Sequence, residues 1–305
     1  MDIVWSPAYE VDLGSHVFPT RKYRLVQERL VAEGLVREDD FVAPEPVADA
    51  DLARAHDAGY LRKIGDGDFS HSDVRLLDTP FSPALREAMK LSCGGTVTTG
   101  RRALSEGVAV HLGGGFHHAF ADHGEGFCLL NDVAVAARAL QAGGHAERVA
   151  VVDLDVHHGN GTAAIFRGDE TVFTFSMHQE NNCPAIKPPG DLDVGLDDGC
   201  DDAHYLDLLD EHLPRVLDEH GPDLVFYLAG ADPYRDDQLG GLALTLEGLR
   251  ERDRRVFEAC GYRGIAVAVT LAGGYAWNTD DTVSIHCATV KEALRQASAD
   301  QVLLC

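Results

Sequence analysis

Basic residues are scarce in this chain: 26 Lys and Arg stand against 50 Asp and Glu, a formal net charge of -24. Nucleic-acid binding needs cations clustered against phosphates, so the shortage argues against a direct nucleic-acid partner. It leaves open an acidic surface that draws cationic partners, or one that serves only solubility. No apolar run reaches the length of a membrane span, and residues 1–9 lack the charged-then-apolar profile of a leader. A cytoplasmic protein without a membrane partner is therefore expected. No Pro/Gly/Ser-rich linker and no internal repeat interrupts the 305 residues, which leads to the expectation of one domain over 1–305. The seven cysteines are odd in number and contain no CxxC pair, which argues against a disulfide scaffold or a thiolate zinc site.

The chain is 45% hydrophobic, enough for one large core. Strand-like apolar runs at 2–5, 108–112, 149–156, 172–176, 224–228 and 265–271 alternate with helical patterns. The helices are expected at 20–33, 82–106, 131–142, 162–166, 201–219, 245–259 and 280–297, with Asn131 capping the third. Cys93-Gly94-Gly95 is expected to break or bend the long second helix. Such alternation implies an α/β fold with a mostly parallel central sheet and helices on both faces.

The most informative segment is VVDLDVHHGNG (151–161). Asp153, Asp155 and His157 are each two apart, and on an extended strand such residues share one face. Two carboxylates and an imidazole are ligands a catalytic zinc accepts when no thiolate is offered. A plainer alternative is a helix start in which Asp155 caps and the His-Gly pair turns the chain. It accounts for one acid, but not for two acids and two histidines before Gly-Asn-Gly. Three further runs also end in polar residues: HLGGGFHHAF (111–120) delivers His117 and His118, LVFYLAGADPY (224–234) delivers Asp232, and AVAVTLAGGYAW (266–277) delivers Tyr275. In open α/β sheets, ligands bind beyond the carboxyl ends of the strands.

GGGFHHA, GFCLLND, DLDVHHGNG, AGADPY and LAGGY, in this order, resemble the histone deacetylase superfamily. HVFPTRKYRLVQERL (16–30) resembles its bacterial, class IV-like branch. The resemblance covers nearly the whole chain and implies the arginase/deacetylase fold and a zinc-dependent deacylase. It implies Asp155, His157 and Asp232 as ligands of one zinc ion, with a fourth position left open. His118 matches the general base, His117 its buried electrostatic partner, Asp153 the residue that orients His117, and Tyr275 the phenol that stabilises the oxyanion. Asn160 stands where class I enzymes place an acid behind the second histidine, although the family tolerates both. A neutral amide orients His118 but adds no charge to stabilise its protonated form. A structural potassium ion is implied at Asp153, Asp155, His157, Ser176 and Met177.

For the acyl pocket, Gly126, Phe127, Leu239, Cys183 and Ala185 are the expected lining. Small side chains at 183 and 185 imply a wide tunnel that accepts chains longer than acetyl, unless Ile186 collapses into the gap. The expected substrate is an acyl-lysine protein or peptide, with an acylated polyamine as the alternative. An arginase-type ureohydrolase and an inactive scaffold are the further alternatives. His158 reads as structural. His16 has two readings, at the site mouth or in packing.

Overall fold

Four runs of small, β-branched and aromatic residues, VAVH, VAVVD, LVFYL and AVAVT, are buried at every position. Strands covered on both faces have no reason to alternate, and these do not. They form the middle of an eight-stranded sheet in the computed structural model, which describes residues 1–303 and the side-chain surroundings of residues 1–299. The strands are β1 (Ile3–Val4), β2 (Phe41–Val42), β3 (Val108–His111), β4 (Val149–Asp153), β5 (Val172–Gln179), β6 (Leu192–Leu196), β7 (Leu224–Leu228) and β8 (Ala266–Thr270). Their order is β2-β1-β3-β8-β7-β4-β5-β6, and every pairing is parallel. The sheet is thus wholly rather than mostly parallel.

Ten α-helices lie among the described residues: α1 (Lys22–Ala32), α2 (Asp49–Leu52), α3 (Ala58–Asp66), α4 (His71–Leu77), α5 (Pro83–Glu106), α6 (Asp132–Ala142), α7 (Asn160–Phe166), α8 (Asp202–His220), α9 (Leu246–Tyr262) and α10 (Thr279–Leu303). One row packs α5 on α6 and α6 on α7; a second runs α8, α9, α10 and α1. The result is a single α/β domain. The expected 1–305 span reaches past the described residues. None of the described helices is long and apolar enough to cross a membrane.

Two expectations need correction. Helix α5 runs unbroken through Cys93-Gly94-Gly95. The glycines serve close approach: a Cβ at Gly94 would overlap the Glu45 carbonyl oxygen, and one at Gly95 would lie 2.5 Å from His111 Nε2. Strand β4 stops at Asp153 rather than 156. There Asp153 Oδ1 accepts the Asp155 backbone N–H at 3.2 Å, and Asp155 Oδ1 accepts that of His157 at 3.0 Å. Two successive carboxylate-to-backbone bonds replace the ladder and bend the chain.

Register explains why the site forms where it does. Asp153 is level with Leu228, and both His111 and Leu228 are level with Thr270. The four central strands, β3, β8, β7 and β4, are adjacent and end together at one edge. The loops that follow them carry His117 and His118, Tyr275, Asp232, and Asp155 with His157.

Candidate metal centre and active site

Ligand atoms of Asp155, His157 and Asp232 lie within 4.8 Å of one another. Asp155 and His157 arrive through the bend after β4, and Asp232 through the loop after β7. His157 Nδ1 is 3.1 Å from Asp155 Oδ1 and 3.6 Å from Asp232 Oδ2. Asp232 Oδ1 accepts the Val156 backbone N–H at 2.9 Å, but its buried Oδ2 has no hydrogen-bond partner. A Cβ at Gly273 would overlap that oxygen, so only glycine leaves room beside the two carboxylates. Burial and the neighbouring Asp155 raise the Asp232 pKa. Burial opposes charge on His157, yet the bond to Asp155 and the carboxylate charges of Asp155 and Asp232 outweigh it and push its pKa up. An unpaired carboxylate oxygen aimed at a second acid and an imidazole fits a divalent cation with N/O ligands.

The paired histidines stand beside this cluster. His117 Nδ1 bonds Asp153 Oδ2 at 2.7 Å, and its Nε2 is 3.8 Å from Asp155 Oδ1. His118 Nδ1 bonds Asn160 Oδ1 at 2.7 Å, and the Asn160 amide nitrogen donates to Glu125 Oε1 at 2.8 Å. The loop that carries them is anchored by buried Asp132, which accepts the backbone N–H groups of Gly115 at 3.0 Å and Phe116 at 2.7 Å. Tyr275 is buried, and its backbone N–H donates to Asp237 Oδ2 at 2.6 Å. Asp237 Oδ1 accepts the Leu239 backbone N–H at 2.8 Å, so one carboxylate ties the Tyr275 loop to the Leu239 loop. Burial and then Asp232 push the Asp237 pKa up to about 7. Burial raises the Tyr275 pKa well above its usual value, with Asp232 and Asp155 adding to the shift, so the phenol keeps its proton.

Gly126, Phe127, Cys183, Ala185 and Leu239 line one cavity of about 470 Å³ together with His118, His157 and Tyr275. Phe127 sits at φ +69° in a tight turn, stacked on Phe18 and edge-on to Tyr275. Cys183 and Ala185 are exposed at the rim, and Ile186 points to solvent at 81% exposure instead of collapsing into the gap. His16 packs edge-on against Phe127 and bonds the Asp78 carbonyl through Nε2 at 2.7 Å.

Ser176 lies level with Asp153 on β5, but its hydroxyl bonds His178 Nδ1 at 3.0 Å, and Met177 is fully buried. Nothing in these contacts singles out a potassium site. A second cluster, His158, His178 and Asp193, also lies within 4.8 Å, with His158 Nε2 bonded to Asp193 Oδ1 at 3.1 Å. Glu125, Asp132, Asp237 and Lys22 escaped the sequence reading. The fully buried Lys22 donates to the Ala272 carbonyl at 2.7 Å, and its Nζ lies 5.6 Å from the Tyr275 ring centre. Adjacency to motifs, such as Glu125 before Gly-Phe and Asp132 after Leu-Leu-Asn, was the available signal.

Residues 16–290 match the histone deacetylase domain family. The chain is 42% identical over 285 residues to an uncharacterised protein of Picosynechococcus sp., covering 93% of this chain and 95% of that one. It is 28% identical over 292 residues to Histone deacetylase 2 of Arabidopsis thaliana (90% and 74%). It is 28% identical over 301 residues to the acetoin utilization protein AcuC of Bacillus subtilis (89% and 76%). Among solved structures, the HDA15 HD domain matches with a TM-score of 0.80 at 25% identity, covering 96% of this chain and 91% of that one.

Proposed function

We propose, from the premise that this chain belongs to the histone deacetylase family and is a deacetylase, that it hydrolyses acyl-lysine side chains of proteins or peptides. We read the whole chain, 1–305, as one catalytic unit acting in the cytoplasm. The observation that carries this reading is the Asp155, His157 and Asp232 cluster, with its unpaired buried carboxylate oxygen, opening into the cavity that His118 and Tyr275 line. These three residues would hold one zinc ion. When bound, zinc supplies a Lewis acid that polarises oxygen.

The remaining steps belong to side chains of this protein. His118 engages Asn160 through Nδ1, so its Nε2 is the atom that takes a proton from the attacking water. Water adds to the amide carbonyl carbon, and the Tyr275 hydroxyl donates to the carbonyl oxygen as it gains charge. The C–N bond then breaks, and His118 Nε2 returns the proton to the departing lysine amine. His117, held by Asp153, supplies positive charge beside the reacting centre. Phe127 and Leu239 face the acyl-lysine stem, and Cys183 and Ala185 leave the rim wide. That width favours a peptide-borne lysine over the slimmer acylated polyamine, and it favours chains longer than acetyl.

The test is a panel in one peptide context: acetyl-, butyryl-, octanoyl- and myristoyl-lysine, with acetylpolyamines alongside, for the native protein and Ala185→Phe. Each added methylene that is fully buried contributes about 0.8 kcal/mol, roughly fourfold in kcat/KM. The expected outcome is a rise beyond acetyl that Ala185→Phe abolishes, with acetylpolyamines poorer throughout. A steady fall from acetyl onwards, unchanged by Ala185→Phe, would contradict the pocket assignment. A preference for acetylpolyamines would replace the substrate class.

A further inference from the structure

We propose that Glu125 fixes the tautomer of His118 by locking the orientation of the Asn160 amide, a positioning role that rests on the reading of His118 as the base. A neutral imidazole has one N–H donor and one acceptor nitrogen, and its partner decides which is which. With the amide oxygen of Asn160 2.7 Å from His118 Nδ1, the proton sits on Nδ1 and the Nε2 lone pair faces the cavity. A reversed amide would donate to Nδ1 instead, leaving a proton on Nε2 and no base. His118 itself is indifferent to that choice, since either tautomer makes a hydrogen bond.

Glu125 is not indifferent. Its ionised carboxylate only accepts, and its Oε1 lies 2.8 Å from the Asn160 amide nitrogen. Reversal would set the amide oxygen against this carboxylate at the same distance, losing a bond and adding repulsion between two acceptors. The carboxylate also places negative charge one residue behind the imidazole, on the side where Asn160 itself brings none. The backbone holds Glu125 to the task. Glu125 N–H bonds the Cys128 carbonyl at 3.2 Å, and Cys128 N–H bonds that of Glu125 at 2.9 Å. Gly126, at φ +51°, lets this turn press on the histidine; a Cβ there would lie 2.7 Å from His118 Cδ2. One turn therefore carries Phe127 into the cavity wall and Glu125 behind the base. Asn160 is buried and opens α7, which leaves its amide little freedom other than reversal.

The test is a four-protein square of the native protein, Glu125→Gln, Asn160→Asp and the double variant. kcat and KM are measured on an acetyl-lysine peptide, alongside zinc content. Glu125→Gln offers both a donor and an acceptor, so the amide is no longer held one way. It is expected to lower kcat about tenfold with KM and zinc content unchanged, a part of the ~10²–10⁴ that acid–base catalysis supplies. In the Asn160→Asp background a carboxylate already fixes Nδ1–H, and Glu125 becomes a like-charged neighbour. There the same substitution is expected to leave kcat unchanged or raise it. Disappearance or reversal of the loss in that background separates positioning from a structural role. An equal loss in both backgrounds, or no loss in the native one, overturns the proposal. The ¹⁵N shifts of labelled histidine, read on the protein without substrate, test the tautomer apart from turnover. Protonated Nδ1 on His118 in the native protein, with mixed tautomers in Glu125→Gln, supports the lock even where acyl-lysine is not turned over; identical tautomers in both proteins overturn it.

Discussion

His117 and His118 are neighbours in the chain, with ring centres 4.1 Å apart, yet they lie in opposite electrostatic settings. Burial disfavours charge on both. At His117 the carboxylates of Asp153 and Asp155 outweigh it and push the pKa up to about 9. At His118 burial is reinforced by His117 and His157, and the bond to Asn160 offsets only part of it, so the pKa falls well below the usual value. Two imidazoles one residue apart thus take different protonation states at neutral pH, one charged and one free to accept a proton. Environments that push like groups apart in this way assign acid and base roles.

The largest expected effect breaks the pair directly. His118→Ala removes the neutral member and is expected to lower kcat by ~10²–10⁴, with zinc content and thermal unfolding unchanged. His117→Ala is expected to cost less and to alter the pH profile. Steady-state kinetics on an acetyl-lysine peptide ranks the two. Equal losses, or a larger loss at His117, would reverse the assignment.

A smaller effect changes the charged member without deleting it. Because the His117 pKa is raised, its charged form is present below about pH 9 and is lost as pH climbs through that value. If that charge serves the reaction, kcat/KM falls above about pH 9. Asp153→Asn removes the strongest support for the charge, so the fall is expected to begin at least one pH unit lower, roughly a fivefold loss relative to the native protein at the old midpoint. A profile that does not move would mean that His117 acts without its charge.

The sequence exposes one member of this comparison better than the other. Asp153 lies in the motif that holds the metal cluster and is visible as a partner for His117. Glu125 reaches His118 only through Asn160, across 35 residues, and its place before Gly-Phe is the one local sign of it. The same division holds for the fold. The buried run Leu224–Leu228 is read to the residue, and Asn131 caps α6 as expected, its Oδ1 accepting from Ala134 at 2.9 Å. Those features are local. The unbroken α5 depends on Glu45, Tyr9 and His111 pressing on its glycines, contacts that no window of sequence contains. Edge strand β6 alternates over only five residues, and the helices α3 and α4 span nine and seven, too short for their patterns to stand out. Asp155 and His157 converge as expected, but through a bend made by carboxylate-to-backbone bonds and not through the pleat of a strand.

A still smaller effect extends the comparison to histidines outside the site. Burial holds His56 down to about 4 and His111 to about 3. Their folded-state values lie below the ordinary 6.5, so the unfolded chain takes up protons first as pH falls. The stability they contribute is complete above pH 6.5 and is lost progressively down to about pH 4 for His56 and about pH 3 for His111, at most ~1.4 kcal/mol per histidine per pH unit. Circular dichroism melts at pH 7 and pH 5 are expected to show a clear drop in Tm. A Tm unchanged over that interval would mean that these rings are not held neutral.

The reaction assigned to this pair also needs a cation, which the adjacent Asp155, His157 and Asp232 would hold. The decisive measurement is acetyl-lysine peptide hydrolysis by protein stripped with a chelator, then supplied with one equivalent of zinc, for the native chain and Asp232→Ala. The native chain is expected to lose its activity on stripping and regain it at one zinc per chain, while Asp232→Ala neither retains zinc nor recovers. Full hydrolysis by the metal-free native protein would contradict the account.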